Sequence, residues 1–198
     1  IPEVGRQKLA KYFDAFVEEG FFSVAQTRKL CEKAIENGFK IKLHVDQFTS
    51  LGGVELAVDM KAESCDHLEQ VTEGGIQALS KADTVAVLCP GASLFTKTNY
   101  APARKLIDAG VRVAVSTDYN PGTCPSRNLP LMTTLACTQM QMTVPESIAA
   151  VTYNAAAALG MESKLGSLEK GKTFRACQLK ASSFEMLPYC FGDRKSVV

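Results

Sequence analysis

Four short segments of the chain have the character of strands, and the stretches between them have the apolar spacing of helices. The segments begin near residues 41, 63, 84 and 111. Strands that alternate with helices in this way are typical of βαβ units, whose strands pair in parallel. The spacing therefore predicts an α/β fold on a parallel sheet, and 198 residues are enough for one domain with a sizeable core.

The predicted element boundaries follow from caps, turns and periodicity. Strands are predicted at 41–46, 63–67, 84–89 and 111–118, and helices at 23–38, 53–60, 72–80, 102–109, 129–138 and 145–159. Pro90-Gly91 is expected to end the third strand. Residues 12–18 could form one more strand or prolong a helix from Arg6, and both interpretations stay open. Beyond Gly160 the pattern weakens to short β-like pieces, so we divide the chain at 1–160 and 161–198.

Composition narrows the class of protein and its partners. The net charge is +1 with no basic stripe, so nothing favours nucleic acid. No apolar run is long enough to predict a membrane span or a signal peptide. Seven scattered cysteines, with no Cys-x-x-Cys pair, favour reduced thiols in a cytoplasmic protein. The first residue, Ile1, suggests an internal piece of a longer polypeptide.

Polar side chains end three of the predicted strands: His44, His67 and Asp118. Because the carboxyl ends of parallel strands share one edge of a sheet, these side chains are expected to lie together. Two histidines and an aspartate at the mouth of a β/α barrel are typical of a metal-assisted hydrolase. The alternatives are histidines that simply hydrogen bond to their surroundings, and an aspartate that opens an Asn-Pro-Gly turn.

Other motifs are weaker. Gly52-Gly53 could present free backbone N–H groups to an anion, but it is more often a turn. Cys89 is better interpreted as a buried structural thiol than as a nucleophile. Ser116 and Ser126 have no base arranged for nucleophilic catalysis, so a serine hydrolase is not supported.

At these residues the sequence resembles the imidazolonepropionase family of the amidohydrolase superfamily, over roughly residues 1–172. The stretches that carry the resemblance include Lys42-Leu43-His44-Val45-Asp46-Gln47, Ser64-Cys65-Asp66-His67-Leu68-Glu69, Ser116-Thr117-Asp118-Tyr119-Asn120-Pro121-Gly122-Thr123 and Val151-Thr152-Tyr153-Asn154-Ala155-Ala156. The resemblance implies a partial TIM (β/α)8-type barrel of the metal-dependent hydrolase superfamily. It would hold strands from about four to eight, with a remnant of a small β domain at the carboxyl terminus.

The resemblance also implies a role for each matched residue. His44 and Asp118 would bind the metal, zinc or iron, while His67 and Asp118 would be catalytic. The substrate would contact a set of polar and loop positions, namely Gln47, Asn120, Gly122 and Thr123. The implied reaction is metal-dependent hydrolysis of the cyclic amide of 4-imidazolone-5-propanoate to N-formimidoyl-L-glutamate, a step of histidine degradation. The implied partners are this small molecule and no nucleic acid or membrane, with a homodimer as the candidate assembly.

Two features depart from the family pattern. Its His-x-His pair of barrel strand one is missing from the sequence, so we expect weak metal binding and no activity without a partner that supplies the missing half. The family's Gly-Lys-x-Ala-Asp is replaced by Gly171-Lys172-Thr173-Phe174-Arg175. A non-catalytic association domain and a different amidohydrolase, such as a deaminase or a dihydroorotase-like enzyme, are the alternatives. The Asn120-Pro121-Gly122-Thr123 loop argues against a different amidohydrolase.

Overall fold

The computed structural model describes residues 1–191, and these residues contain one five-stranded parallel sheet. The strands are β1 (Tyr12–Val17), β2 (Lys40–Val45), β3 (Ser64–His67), β4 (Val85–Leu88) and β5 (Val113–Val115). They lie side by side in chain order, each in parallel with the next. The predicted partial barrel is therefore confirmed. The open question about residues 12–18 is resolved as a strand, because β1 pairs along its whole length with β2.

Helices connect the strands and continue beyond the last one. Their bounds are α1 (Pro2–Arg6), α2 (Val24–Glu36), α3 (Gly53–Asp59), α4 (Glu73–Leu79), α5 (Pro90–Thr96), α6 (Ala103–Asp108), α7 (Leu129–Gln139), α8 (Val144–Ala150), α9 (Tyr153–Ala158) and α10 (Met186–Tyr189). Ser23 and Gln26 form the predicted capping box at the start of α2. Over residues 1–191, none of the helices combines the length and the apolar character that crossing a membrane requires.

Alternation along the strands separates two faces of the sheet. Ile41, Leu43 and Val45 of β2 are buried in the main core, which the sheet shares with the flanking helices. Lys42 and His44 lie between them in sequence, so they point to the opposite, inner face. Helix α9 packs on this inner face, where its alanines form a second small cluster with Val85, Val87 and Ala114.

The third predicted strand ends before Pro90-Gly91, as expected. No helix was predicted there, and α5 begins at Pro90 because proline is well accommodated in a first helical turn. Two other predictions, about a helix and the tail, were wrong. The predicted helix over 145–159 is divided into α8 and α9 at Thr152, whose φ of −125° and ψ of −91° are not helical. The β-like pieces expected after Gly160 form no strand up to residue 191. Those residues are mostly exposed, whereas α10 packs on α7.

The expected tail also includes residues 192–198, which lie outside the described part of the chain. Where the tail is described, Thr134 of α7 donates a hydrogen bond to the Pro188 carbonyl at 2.7 Å. This contact ties the tail to the helical layer. The division at 160 and 161 remains a prediction.

The start of α3 is built by two consecutive glycines. Gly52 has a φ of 85°, a conformation that costs glycine little, and it precedes the helix. Gly53 packs directly on β2, since a Cβ there would lie 2.8 Å from Cβ and Cγ1 of Val45. Val45 is β-branched and fully buried, so it cannot move aside easily. The glycine pair therefore sets how closely α3 approaches the strand that carries His44.

We expect Gly53→Ala to destabilise the chain by about 1–3 kcal/mol, because the added methyl group overpacks the contact with Val45. Urea unfolding of the purified chain measures the change. Gly74→Ala is the matched control, since its Cβ would meet nothing closer than 3.6 Å and alanine suits a helix better than glycine. Equal midpoints for Gly53→Ala and wild type would contradict the packing argument.

Candidate metal centre

The structure brings His44, His67 and Asp118 together at the carboxyl edge of the sheet. His44 lies near the end of β2, His67 ends β3, and Asp118 follows β5. Each offers one ligand atom, and these atoms all lie within 4.8 Å of one another. The predicted convergence of strand ends is therefore observed for these three residues.

Asp118 lies between the two imidazoles. Its Oδ1 is 3.9 Å from Nε2 of His44, and its Oδ2 is 3.6 Å from Nε2 of His67. The ring centroids of the two histidines are 5.3 Å apart, with the planes tilted by 52°. Two ligand atoms that each lie roughly 2.0–2.2 Å from one shared ion are separated from each other by about the nitrogen–oxygen distances seen here. This nitrogen and oxygen donor set therefore fits a divalent ion of the zinc or iron type.

The carboxylate of Asp14, in β1, contacts the ring nitrogen of His44 that does not face Asp118. Its carboxylate oxygens lie 2.9 and 3.0 Å from Nδ1 of His44, which leaves Nε2 directed toward Asp118. Burial lowers the pKa of His44, but hydrogen bonds with Asp118 and Asp14 outweigh that effect and raise it to about 10. The sequence analysis missed Asp14, because its strand was ambiguous. The signal that could have found it is a charged residue inside an otherwise apolar strand.

His67 is more deeply enclosed than His44. Its side chain is only 2% exposed, and Nδ1 has no hydrogen-bond partner. Glu69, two residues further on, is also buried, and its Oε1 lies 3.7 Å from Nδ1 of His67. The sequence analysis gave Glu69 no role, although it lies in the stretch that carried the family resemblance.

The loop after β5 is organised by the side chain of Asn120. Its Nδ2 donates to the Asp118 carbonyl at 2.8 Å, to Asp118 Oδ2 at 3.1 Å and to Thr123 Oγ1 at 2.8 Å. Its Oδ1 accepts from the backbone N–H groups of Gly122 and Thr123 at 2.8 and 2.7 Å. The aspartate-turn alternative and the site are thus compatible. The turn holds Asp118, which has a φ of 46°, beside the histidines.

Gln47 and its neighbour Asp46 lie just beyond β2, and both are buried. Burial raises the pKa of Asp46 to about 6, while a hydrogen bond from Ser50 lowers it. A substrate contact of Gln47, Asn120, Gly122 or Thr123 stays a prediction. Cys89 is buried, and desolvation raises the pKa of its thiol well above the usual range, which disfavours a nucleophilic thiolate.

Comparison with known proteins places the chain in a family. The model of the amidohydrolase family matches residues 21–187, and the chain belongs to that family. The chain is 45% identical to the imidazolonepropionase of Porphyromonas gingivalis over 192 residues, which are 97% of this chain and 45% of that protein. The enzyme of the same name from Thermoanaerobacter pseudethanolicus is 44% identical over 192 residues, which are 97% of this chain and 46% of that protein. The chain thus spans about half the length of the curated relatives it matches.

Solved structures support the fold. An adenosine deaminase from Xanthomonas campestris with bound zinc superposes with a TM-score of 0.81 at 18% identity, over 94% of this chain and 50% of that one. A Xaa-Pro dipeptidase superposes with a TM-score of 0.74 at 17% identity, over 92% of this chain and 52% of that one. At these identities the likeness concerns the fold alone.

We expect Asp14→Asn to weaken zinc binding by about 10–100-fold, because the carboxylate orients His44 and makes its ring a better ligand. Competition with a chromophoric chelator measures the affinity of the purified chain. His44→Ala gives the affinity without that ligand, and Asp83→Asn, at an exposed aspartate, is the control. An Asp14→Asn affinity equal to that of the control would contradict an orienting role.

Proposed function

We propose that this chain contributes barrel strands four to eight of an imidazolonepropionase-like hydrolase. The reaction would add water across the cyclic amide of 4-imidazolone-5-propanoate and yield N-formimidoyl-L-glutamate. The observation that carries the proposal is the cluster of His44, His67 and Asp118. This cluster lies in a chain that is 45% identical to an imidazolonepropionase over 97% of the chain's own length.

Each residue of the cluster has a proposed task. His44 and Asp118 would hold the ion, which would supply Lewis-acid chemistry by lowering the pKa of water and polarising the amide carbonyl. Asp118 accepts a proton from the attacking water and passes it to the leaving ring nitrogen. His67 faces the same carboxylate from the enclosed side, where its Nε2 can accept a hydrogen bond from the attacking water and help to hold it.

Substrate contacts are proposed for the rim of the cluster. Gln47 would donate or accept a hydrogen bond to the imidazolone ring, since its amide offers both kinds of group. Asn120 uses its amide within the loop, so its contribution to the substrate site would be the placement of Gly122 and Thr123. Cytoplasmic location and a homodimer remain predictions from sequence.

The ligand count limits what the chain does by itself. A catalytic zinc site usually has three protein ligands and an open position. In the cluster found among residues 1–191, His67 is assigned to catalysis, which leaves His44 and Asp118 as the proposed ligands. We propose that hydrolysis requires further ligands from outside this sequence.

A chimera tests the function. The part of the Porphyromonas gingivalis enzyme that matches this chain is replaced by the chain, and hydrolysis of imidazolonepropanoate is followed. We expect activity in the chimera and none in the chain alone. Asp118→Asn should lower kcat by about 10²–10⁴-fold, because the group that moves the proton is lost.

Asp83→Asn in the same chimera is the control, since Asp83 is exposed and lies outside the cluster. A folded chimera that hydrolyses other cyclic amides or deaminates purines, but leaves imidazolonepropanoate intact, would refute the proposed substrate. Equal activity of the chain alone would refute the need for further ligands.

A further inference from the structure

Glu69 is a carboxylate buried behind His67. Its side chain is 1% exposed, and its Oε1 accepts a hydrogen bond at 2.9 Å from the hydroxyl of Ser93, on helix α5. Among residues 1–191, its sole ion-pair partner is the imidazole of His67. Burying a carboxylate costs desolvation free energy unless the carboxylate is paired. The burial of Glu69 therefore lowers the stability of the fold unless His67 and Ser93 compensate for it.

The His67 ring stands between two carboxylates. Nδ1 lies 3.7 Å from Oε1 of Glu69, while Nε2 lies 3.6 Å from Oδ2 of Asp118. Nδ1 of His67 and Oε2 of Glu69 are both buried without a hydrogen-bond partner. A small rotation of either side chain would bring Nδ1–H within hydrogen-bond distance of the Glu69 carboxylate, and buried polar groups are normally paired in this way.

The backbone is strained where this pair is formed. His67 and Leu68 have φ values of 87° and 72°, and they are the only consecutive non-glycine residues with positive φ within residues 1–191. Such conformations persist where the surroundings enforce them. These two conformations lie between β3 and Glu69, whose carboxylate lies beside the ring of His67.

We propose that Glu69, held by Ser93, is a positioning residue that keeps a proton on Nδ1 of His67 and so directs Nε2 toward Asp118. The consequence of this orientation for hydrolysis rests on the function proposed above. The orientation itself is a property of the chain without substrate or metal, and it is tested there.

The chain has only two histidines, which makes their rings accessible to NMR spectroscopy. The probe is the metal-free chain labelled with ¹⁵N-histidine, and His67→Gln assigns the two sets of ring signals. In wild type we expect a slowly exchanging proton on Nδ1 of His67. In Glu69→Leu we expect that proton to be lost, with the urea midpoint unchanged or higher, because an apolar side chain replaces a buried carboxylate.

Two further variants keep the test decisive. Ser93→Ala leaves Glu69 in place but removes its support, and we expect the Nδ1 proton of His67 to exchange about fivefold faster or more. Glu69→Gln retains an acceptor and should preserve the Nδ1 proton. Glu32→Gln, at an exposed glutamate, is the control and should change neither ring.

Unchanged His67 ring signals in Glu69→Leu, or in Ser93→Ala where Glu69→Leu does not fold, would overturn the proposal. Loss of stability in Glu69→Leu with the Nδ1 proton intact would reduce Glu69 to a structural role and also overturn it. In the chimera, Glu69→Leu should lower kcat more than it changes KM. If the ring changes as expected while chimera activity stays at the control level, positioning is supported and the proposed catalytic task of His67 fails.

Discussion

The two-residue alternation of the strands is the constraint on which the structure depends. In β2, apolar side chains at 41, 43 and 45 enter the core shared with the helices, so the residues between them must face the inside of the sheet. The parallel register places His44 opposite Phe16 of β1 and Asp66 of β3. Asp14 lies two residues before Phe16 and so on the same face of β1, from which its carboxylate reaches Nδ1 of His44. A shift of the register of β2 by one residue would turn Lys42 and His44 toward the helices and separate His44 from His67 and Asp118.

The parts of the fold that the sequence predicts are those in which apolar periodicity decides the structure. Four of the five strands and the convergence of His44, His67 and Asp118 follow from alternation and spacing. β1 was ambiguous because Asp14 and Glu18 interrupt its apolar pattern, and both carboxylates accept contacts from distant loops or strands. Helix α5 was missed because Pro90-Gly91 has the composition of a break, whereas in the structure Gly91 packs closely on the side chains of Cys124 and Met132.

The supporting residues of the site could not be predicted for a different reason. Asp14 reaches His44 across 30 residues of sequence, and Ser93 reaches Glu69 across 24. Local propensity carries no information about such pairs, since they depend on which strand lies next to which. The positive φ values of His67 and Leu68 likewise could not be predicted from the sequence, because such conformations are uncommon for residues other than glycine.

The charges on the inner face explain why this edge of the sheet favours a cation. Asp14, Asp66 and Asp118 surround His44. Lys42 donates a hydrogen bond to Ser64, and Ser64 donates one to Asp66. Burial raises the pKa of Asp66, and Lys42 and His44 oppose that effect, so the carboxylate depends on these neighbouring positive groups. The same excess of carboxylates raises the pKa of His44. A divalent ion between His44 and Asp118 would offset this negative charge more completely than a single proton on the imidazole.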